Sequence, residues 1–232
     1  MHIKIKGFQK TSLIDYPGKV CSVVFLAGCN LRCPFCQNPD LVLHHQKMKD
    51  IKTERVIEHI SSNRKWIDGV CITGGEPTIY QDLPGFAQKI KKMGFFVKLD
   101  TNGTNPGMLD YMLKNCLVDY VSMDIKAPLE SYNKSTNVEI DKEAIQKSVE
   151  TIKGSGVDYE FRTTVVPSLF KTKDALMVGQ WLEGSRKFAI QQFRPTVTLD
   201  KAYQRKKPYT EKRLNELKAI MEPFFESVEV RV

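Results

Sequence analysis

Two periodicities share the chain. Short runs rich in β-branched and aromatic residues alternate with longer stretches whose apolar positions return every third or fourth residue, as strands interleaved with amphipathic helices would. The short runs predict strands at Val20 to Ala27, Gly69 to Thr73, Phe95 to Asp100, Val118 to Asp124, Val157 to Thr164 and Lys187 to Arg194. Between them the pattern predicts helices at Thr53 to Asn63, Asp82 to Met93, Gly107 to Asn115, Asp141 to Lys153 and Thr172 to Glu183. Thr53 and Asp82 are placed to cap their helices, and Pro84 suits a first turn, where a backbone N–H would have no partner anyway. His2 to Tyr16 reads as a short antiparallel β-element closed by the Pro17-Gly18 turn. A helix at Thr210 to Met221 and a strand at Ser227 to Val232 fall outside the repeat. The expected fold class is α/β: a partial (β/α)6 TIM-like barrel with a short N-terminal β-element and a C-terminal helix plus strand. No linker rich in Gly, Pro or Ser divides the chain, so a single domain over residues 1–232 is expected, its core at about 17–200.

The residues that break these patterns gather at one kind of place. Gly28 to Cys36 follows the first strand, Gly74-Gly75-Glu76-Pro77 the second, Thr101-Asn102-Gly103 the third, Lys126-Ala127-Pro128 the fourth and Arg194-Pro195 the sixth. All lie at carboxyl ends of predicted strands. In a parallel α/β barrel those ends form one face, and catalytic groups collect there.

Composition excludes some classes. With 41% hydrophobic and 27% charged residues among 232, the chain has the apolar content of a packed core and not of a disordered tail. Lys4 and Lys6 interrupt any apolar leader and no run approaches the ~18 apolar residues that span a bilayer, so a cytoplasmic protein with no membrane association is expected. The formal charge of +8 favours anionic partners, although Lys89, Lys91, Lys92 and most other lysines fall on solvated helix faces. The densest basic run is Lys201 to Lys207; its Tyr203 opens a nucleic-acid reading without favouring it, and nucleic acid is not an expected partner.

Three of the six cysteines crowd into Cys29-Asn30-Leu31-Arg32-Cys33-Pro34-Phe35-Cys36. Cys21, Cys71 and Cys116 stand apart among apolar neighbours and read as core thiols, with a ligand role left open for Cys71 so close to Gly74. Three thiolates this close can hold one compact metal centre in a reducing compartment. A closed zinc site wants a fourth ligand, for which only His44 and His45 lie near, and no second Cys-x2-Cys knuckle exists. A [4Fe-4S] cluster on three cysteines instead leaves one iron open to a further ligand.

The C-x3-C-x2-C loop, with Phe35 just before its last cysteine and Gly74-Gly75-Glu76-Pro77 after the next strand, resembles the radical S-adenosylmethionine (SAM) superfamily. The resemblance implies one [4Fe-4S] cluster on Cys29, Cys33 and Cys36, whose open iron chelates SAM. One electron then passes to the sulfonium, releasing methionine and a 5′-deoxyadenosyl radical that abstracts hydrogen from a substrate. It also implies SAM contacts at Phe35, Gln37, Gly74, Gly75, Glu76, Asp100, Asn102, Asp124, Lys126 and Arg194, and no catalytic residue beyond the cluster and SAM. The residues themselves support part of this: Gly74 and Gly75 let backbone approach a ligand, and Lys126 can pair with a carboxylate. Asp100 has a competing reading as an Asx turn into Thr101-Asn102-Gly103, and Arg162 and Arg194 as structural ion pairs.

The run Ile5 to Gly18 (IKGFQKTSLIDYPG), with Asn38-Pro39-Asp40 and Asp124-Ile125-Lys126-Ala127-Pro128, is similar to the anaerobic ribonucleoside-triphosphate reductase-activating protein group over nearly the whole chain. That similarity implies a glycyl-radical enzyme as protein substrate and reduced ferredoxin or flavodoxin as electron donor. No cysteine follows Cys116, and too few residues separate Cys36 from Thr53 for a ferredoxin-like insertion, so one cluster is expected. A six-unit barrel is open on one side, which leaves a lateral slot for a peptide loop. Two alternatives stay open: a radical SAM enzyme acting on a small molecule, deazaguanine-synthase-like and binding Mg2+, and a zinc-stabilised RNA-binding protein. Finally, Asp100 and Asp124 would repel at close range, so Asp100, Thr101 and Asp124 form an expected site for a monovalent cation or Mg2+ beside SAM.

Overall fold

The computed structural model describes residues 3–232; His2, read as the start of the N-terminal β-element, lies outside them. One eight-stranded sheet runs through these residues with its strands in chain order. β1 (Ile5–Ser12) is antiparallel to β2 (Cys21–Leu26). β3 (Gly69–Gly74), β4 (Phe96–Thr101), β5 (Tyr120–Asp124), β6 (Asp158–Val165), β7 (Ser185–Gln192) and β8 (Phe225–Arg231) then add in parallel. The helices are α1 (Pro39–Leu43), α2 (Thr53–Ser62), α3 (Leu83–Lys92), α4 (Pro106–Lys114), α5 (Tyr132–Thr136), α6 (Lys142–Gly154), α7 (Thr172–Trp181) and α8 (Glu211–Met221). Among the described residues β1 and β8 do not pair with each other, so the curved sheet is open between them, as a partial barrel requires.

Each helix forms because its apolar residues fall on one face. In α3 these are Leu83, Phe86, Ala87 and Ile90, all buried, while Lys89, Lys91 and Lys92 sit in the last turn, where the helix dipole favours cations. Asp141 caps α6 by accepting from the Glu143 and Ala144 N–H groups at 3.0 and 3.1 Å, and Thr210 caps α8. Thr53 is not the cap expected of it: α2 is capped at Lys52, and Thr53 is its first residue.

The strands carry two different faces. In β4, Val97 and Leu99 join the main core with Phe86 and Ile90, whereas Lys98 and Asp100 point to the concave side. β5 and β6 repeat this, with Val121, Met123 and Phe161 in the core and Ser122, Glu160 and Arg162 opposite. Each fully buried Leu, Ile or Phe contributes about 1.5–3 kcal/mol, so the convex layer carries most of the stability.

The C-terminal segment departs from expectation. α8 and β8 are not an appendage but a further unit of the repeat, because Leu214, Leu217 and Met221 of α8 are buried in the core and β8 pairs along β7 from Ser185↔Phe225 to Gln191↔Arg231. Cys116 also differs. It is exposed with φ 53° just past α4, a left-handed turn position, whereas Cys21 and Cys71 are buried as expected.

Candidate active site

The carboxyl ends of the parallel strands surround a cavity of about 210 Å³. Cys29, Cys33 and Cys36 line it from the loop after β2. A Cys36 N–H to Cys33 carbonyl bond of 3.0 Å closes a turn in this loop, and Arg32 Nη1 donates to the Cys29 and Leu31 carbonyls at 2.6 and 2.8 Å. Leu31, Phe35, Val166 and Phe193 pack around the cysteines as a separate apolar cluster. Burial pushes the Cys29 thiol up to about 11 and the Cys33 thiol up to about 12, against the opposing charge of Lys126. Thiolates at these positions therefore need strong positive charge beside them, which bound iron supplies. The Leu31 N–H already points at Cys29 Sγ from 3.4 Å. Among the described residues no three His, Cys, Asp or Glu side chains converge tightly enough for a single ion, and neither His44 nor His45 lines the cavity. Three soft donors spread along one wall fit a larger group such as an iron–sulfur cluster; a closed zinc site is not formed.

Gly74 and Gly75 do line the cavity, but their need for glycine has another source. A Cβ on Gly75 would lie 1.6 Å from the Gly28 carbonyl oxygen, and one on Gly74, whose φ is +123°, 2.4 Å from Leu26 backbone atoms. The pair lets the end of β3 press on the start of the cysteine loop, where Gly75 N–H donates to Leu26 O at 2.9 Å and Glu76 N–H to Gly28 O at 2.8 Å. Glu76 then ties in the next loop. Its Oε1 accepts from Thr78 N–H and Oγ1 and from Thr101 Oγ1, and its Oε2 from Asn102 N–H at 2.7 Å. Burial raises its pKa while these bonds oppose the rise. Asn102 Nδ2 continues the chain to Asn30 Oδ1 at 3.0 Å and toward Cys29 Sγ at 3.9 Å. Glu76 and Asn102 thus brace the cysteine loop.

The opposite wall is an alternating row of charges. Asp100 is held by Lys98, and Arg162 bridges Asp100 Oδ2 at 3.1 Å and Asp124 Oδ1 at 2.6 Å. Lys126 Nζ completes the row at 3.0 Å from Asp124 Oδ2. Burial alone would raise both carboxyls; Arg162 with Lys98, and Arg162 with Lys126, outweigh it and hold Asp100 and Asp124 below the usual carboxylate range. At the cation site expected on Asp100, Thr101 and Asp124 the structure places protein cations. All four carboxylate oxygens already face a protein cation, and Thr101 Oγ1 donates to Glu76 while accepting from Gly103 N–H. Nor is Asp100 an Asx turn: Asn102 fills that role, accepting from Thr104 N–H at 3.0 Å.

The structure brings Phe35, Gln37, Gly74, Gly75, Glu76, Asp100, Asn102, Asp124 and Lys126 around this cavity with the three cysteines. Arg194 stands apart. Its guanidinium donates to the Val232 carbonyl at 3.0 Å, and it lines a second cavity of about 620 Å³ with Lys98, Glu160 and Arg231. Gln37, Arg162, Thr164 and Gln191 line both cavities, so the two adjoin at that boundary. Lys98, Thr73, Thr164 and Gln191 are not singled out by the sequence; polar residues at alternate positions of β4 (Lys98, Asp100) and β6 (Asp158, Glu160, Arg162, Thr164) are the signal that marks Lys98 and Thr164, and Thr73 and Gln191 carry none as regular.

The model of the radical SAM superfamily matches residues 23–173, which include the cysteine loop and both walls of the first cavity. The chain belongs to the radical SAM superfamily. It is therefore a radical SAM enzyme, and the superfamily implies a [4Fe-4S] cluster and SAM. It is 33% identical to a protein of Methanocaldococcus jannaschii provisionally named a glycyl-radical enzyme activating enzyme, over all of this chain and 97% of that one. The pyruvate formate-lyase-activating enzyme of Clostridium pasteurianum is 27% identical over 74% of this chain and 72% of its own. A 7-carboxy-7-deazaguanine synthase of Methanospirillum hungatei is 30% identical over 62% of this chain and 57% of its own. Among solved structures, Streptococcus suis SuiB bound to its precursor peptide SuiA superposes with TM-score 0.68 at 13% identity, over 90% of this chain and 48% of that one. Escherichia coli coproporphyrinogen III oxidase (HemN), itself titled a radical SAM enzyme, gives 0.59 at 15%, over 91% and 53%. The chain spans about half the length of these two structures, and the likeness is one of fold. No helix among the described residues is long and apolar enough to cross a membrane.

Proposed function

We propose that this radical SAM enzyme activates a glycyl-radical enzyme, taking hydrogen from a backbone glycine of that partner, as implied for the anaerobic ribonucleotide reductase. Cys29, Cys33 and Cys36 hold the cluster, which when bound supplies one electron to the SAM sulfonium and so opens the C5′–S bond. Gly74, Gly75, Asp100, Asn102, Asp124 and Lys126 hold SAM, with Lys126 offering its ammonium to the SAM carboxylate. Phe35 and Leu31 keep water from the cysteine wall. The second cavity receives the substrate, since it meets the first at Arg162, Thr164 and Gln191.

One observation carries this reading: three thiols of one loop and a row of paired charges face a single cavity in a chain that aligns end to end with a relative provisionally named an activating enzyme. The small-molecule alternative draws support from the deazaguanine synthase relatives, which align over less of the chain. The direct test is anaerobic incubation of the reconstituted enzyme, SAM and a reductant with a glycyl-radical enzyme, read by the glycyl doublet in electron paramagnetic resonance. A doublet that is lost in Cys29→Ala, Cys33→Ala and Cys36→Ala, and kept in Cys116→Ala, supports the reading. SAM cleavage without a doublet, together with formation of a 7-carboxy-7-deazaguanine-type product from a small molecule, would replace it with the alternative.

A further inference from the structure

The basic run Lys201 to Lys207 has no part in the site described, yet the fold lays it against the cysteine loop. The segment leading into it is bonded to that loop twice, Leu199 N–H to Cys36 O at 3.0 Å and Asp200 N–H to Pro34 O at 2.9 Å. Tyr203 packs on the apolar cluster that contains Cys29, Cys33 and Cys36. From 196 to 207 this strap carries Lys201, Arg205, Lys206 and Lys207 against one acid, Asp200, whose carboxylate accepts from Ala202 N–H at 2.9 Å. None of the four cations forms an ion pair among the described residues, and Lys201, Arg205 and Lys207 are exposed. The charges on the cavity wall are compensated in place. Those on the strap are not.

We infer that the strap is the docking surface for an acidic one-electron carrier protein, which delivers its electron through the face of the molecule nearest the cysteine loop. This rests on the reading of Cys29, Cys33 and Cys36 as the cluster ligands. The exchange is one electron, lost by the reduced carrier and gained by the cluster, with no bond made or broken. A short-lived redox complex needs little buried area but gains encounter rate from complementary charge, and unpaired lysines and arginines supply it. Nucleic acid would also answer to the charge, but Tyr203 is half-buried against the cysteine loop with Lys206 Nζ 4.7 Å from its ring centroid, so it offers no free face for base stacking.

The probe is a purified acidic ferredoxin, titrated calorimetrically into the anaerobic holoenzyme, with the triple variant Lys201→Glu, Arg205→Glu, Lys207→Glu compared at native iron content and melting temperature. The native enzyme should bind with a dissociation constant that rises about tenfold as salt increases from about 50 to about 300 mM, and the variant should bind at least about tenfold more weakly at low salt. Single Lys207→Glu, expected to weaken binding by about threefold, serves if the triple variant does not fold. Equal affinity in native and variant enzymes overturns the proposal, and so does tighter binding of a labelled single-stranded RNA than of ferredoxin. Native enzyme that binds ferredoxin but cleaves no SAM with dithionite would count against the functional reading and leave the docking surface standing.

Discussion

The two faces of one sheet obey opposite rules. On the convex face Val70, Ile72, Val97, Leu99, Val121 and Phe161 lie under helices with essentially no exposure, and any apolar residue of similar volume would serve. On the concave face Lys98 and Asp100 are buried and Arg162, Asp124 and Lys126 half-buried, all charged and each held by a named partner of opposite sign. Burying charge costs several kcal/mol per ion, and even a well-paired row adds less stability than a packed apolar one. The concave face therefore sacrifices stability that the convex face supplies, and what it gains is a fixed arrangement of cations and carboxylates at the cavity wall.

Substitutions on the two faces should separate stability from ligand binding. The largest effect is expected for Arg162→Leu, which leaves Asp100 and Asp124 each short of a cation; unfolding in urea should report a loss of about 3–5 kcal/mol, accompanied by weaker SAM binding. Leu99→Ala on the opposite face of β4 should cost about 2–5 kcal/mol by the same assay and leave SAM affinity unchanged in calorimetry. If Leu99→Ala weakened SAM binding tenfold under conditions where the protein stays folded, the division between the faces would fail. Lys126→Ala should keep the visible spectrum of the bound cluster and lose about 1.5–3 kcal/mol of SAM binding, the range of a charge-assisted hydrogen bond.

The smallest effect sharpens the comparison through pH. Burial pushes the Glu160 carboxyl up, but the bonds and charge of Arg231, whose Nη1 and Nη2 reach it at 3.0 and 2.5 Å, bring it below the usual value. A depressed carboxyl stabilises the fold above its unfolded pKa and loses that contribution as pH falls through the folded one. Native protein should therefore lose stability between about pH 5 and pH 3, and Glu160→Gln should show a shallower slope over that window in denaturant titrations. Equal slopes would mean that Arg231 does not hold Glu160 ionised in solution.

The convex face was legible because its signal is local. Alternation within a strand and a recurrence of three to four within a helix located the six central strands to within two residues at most ends, and the cysteine loop stood out by spacing alone. The concave face was legible only at its rim. Asp100, Asp124 and Lys126 sit at strand ends among loop residues, whereas Lys98, two positions earlier, reads as one more lysine in a chain with 35 Lys and Arg. Arg162 reads from the sequence as half of a structural ion pair, but its bridging of two carboxylates depends on β4, β5 and β6 curling toward one another, and no single segment contains that curvature. The same gap lies behind the cation site expected on Asp100, Thr101 and Asp124, since the pairing of Asp100 with Lys98 and Arg162 is not visible in any one segment. β8 was misjudged for a related reason: its apolar residues announce a strand, but only the fit of α8 against the core says that it joins the sheet.

The identity of strand order and chain order bears on how the molecule is made. Every parallel strand finds its sheet partner in the strand synthesised just before it, and no strand in the sheet waits for one at the far end of the chain. A closed barrel must hold one edge of its first strand unpaired until its last emerges; here the open side removes that delay. The nascent chain can thus dock one βα unit at a time as it leaves the ribosome, with the cysteine loop after β2 in place before the later units and the basic strap, carried between β7 and β8, laid across it only once β7 has emerged.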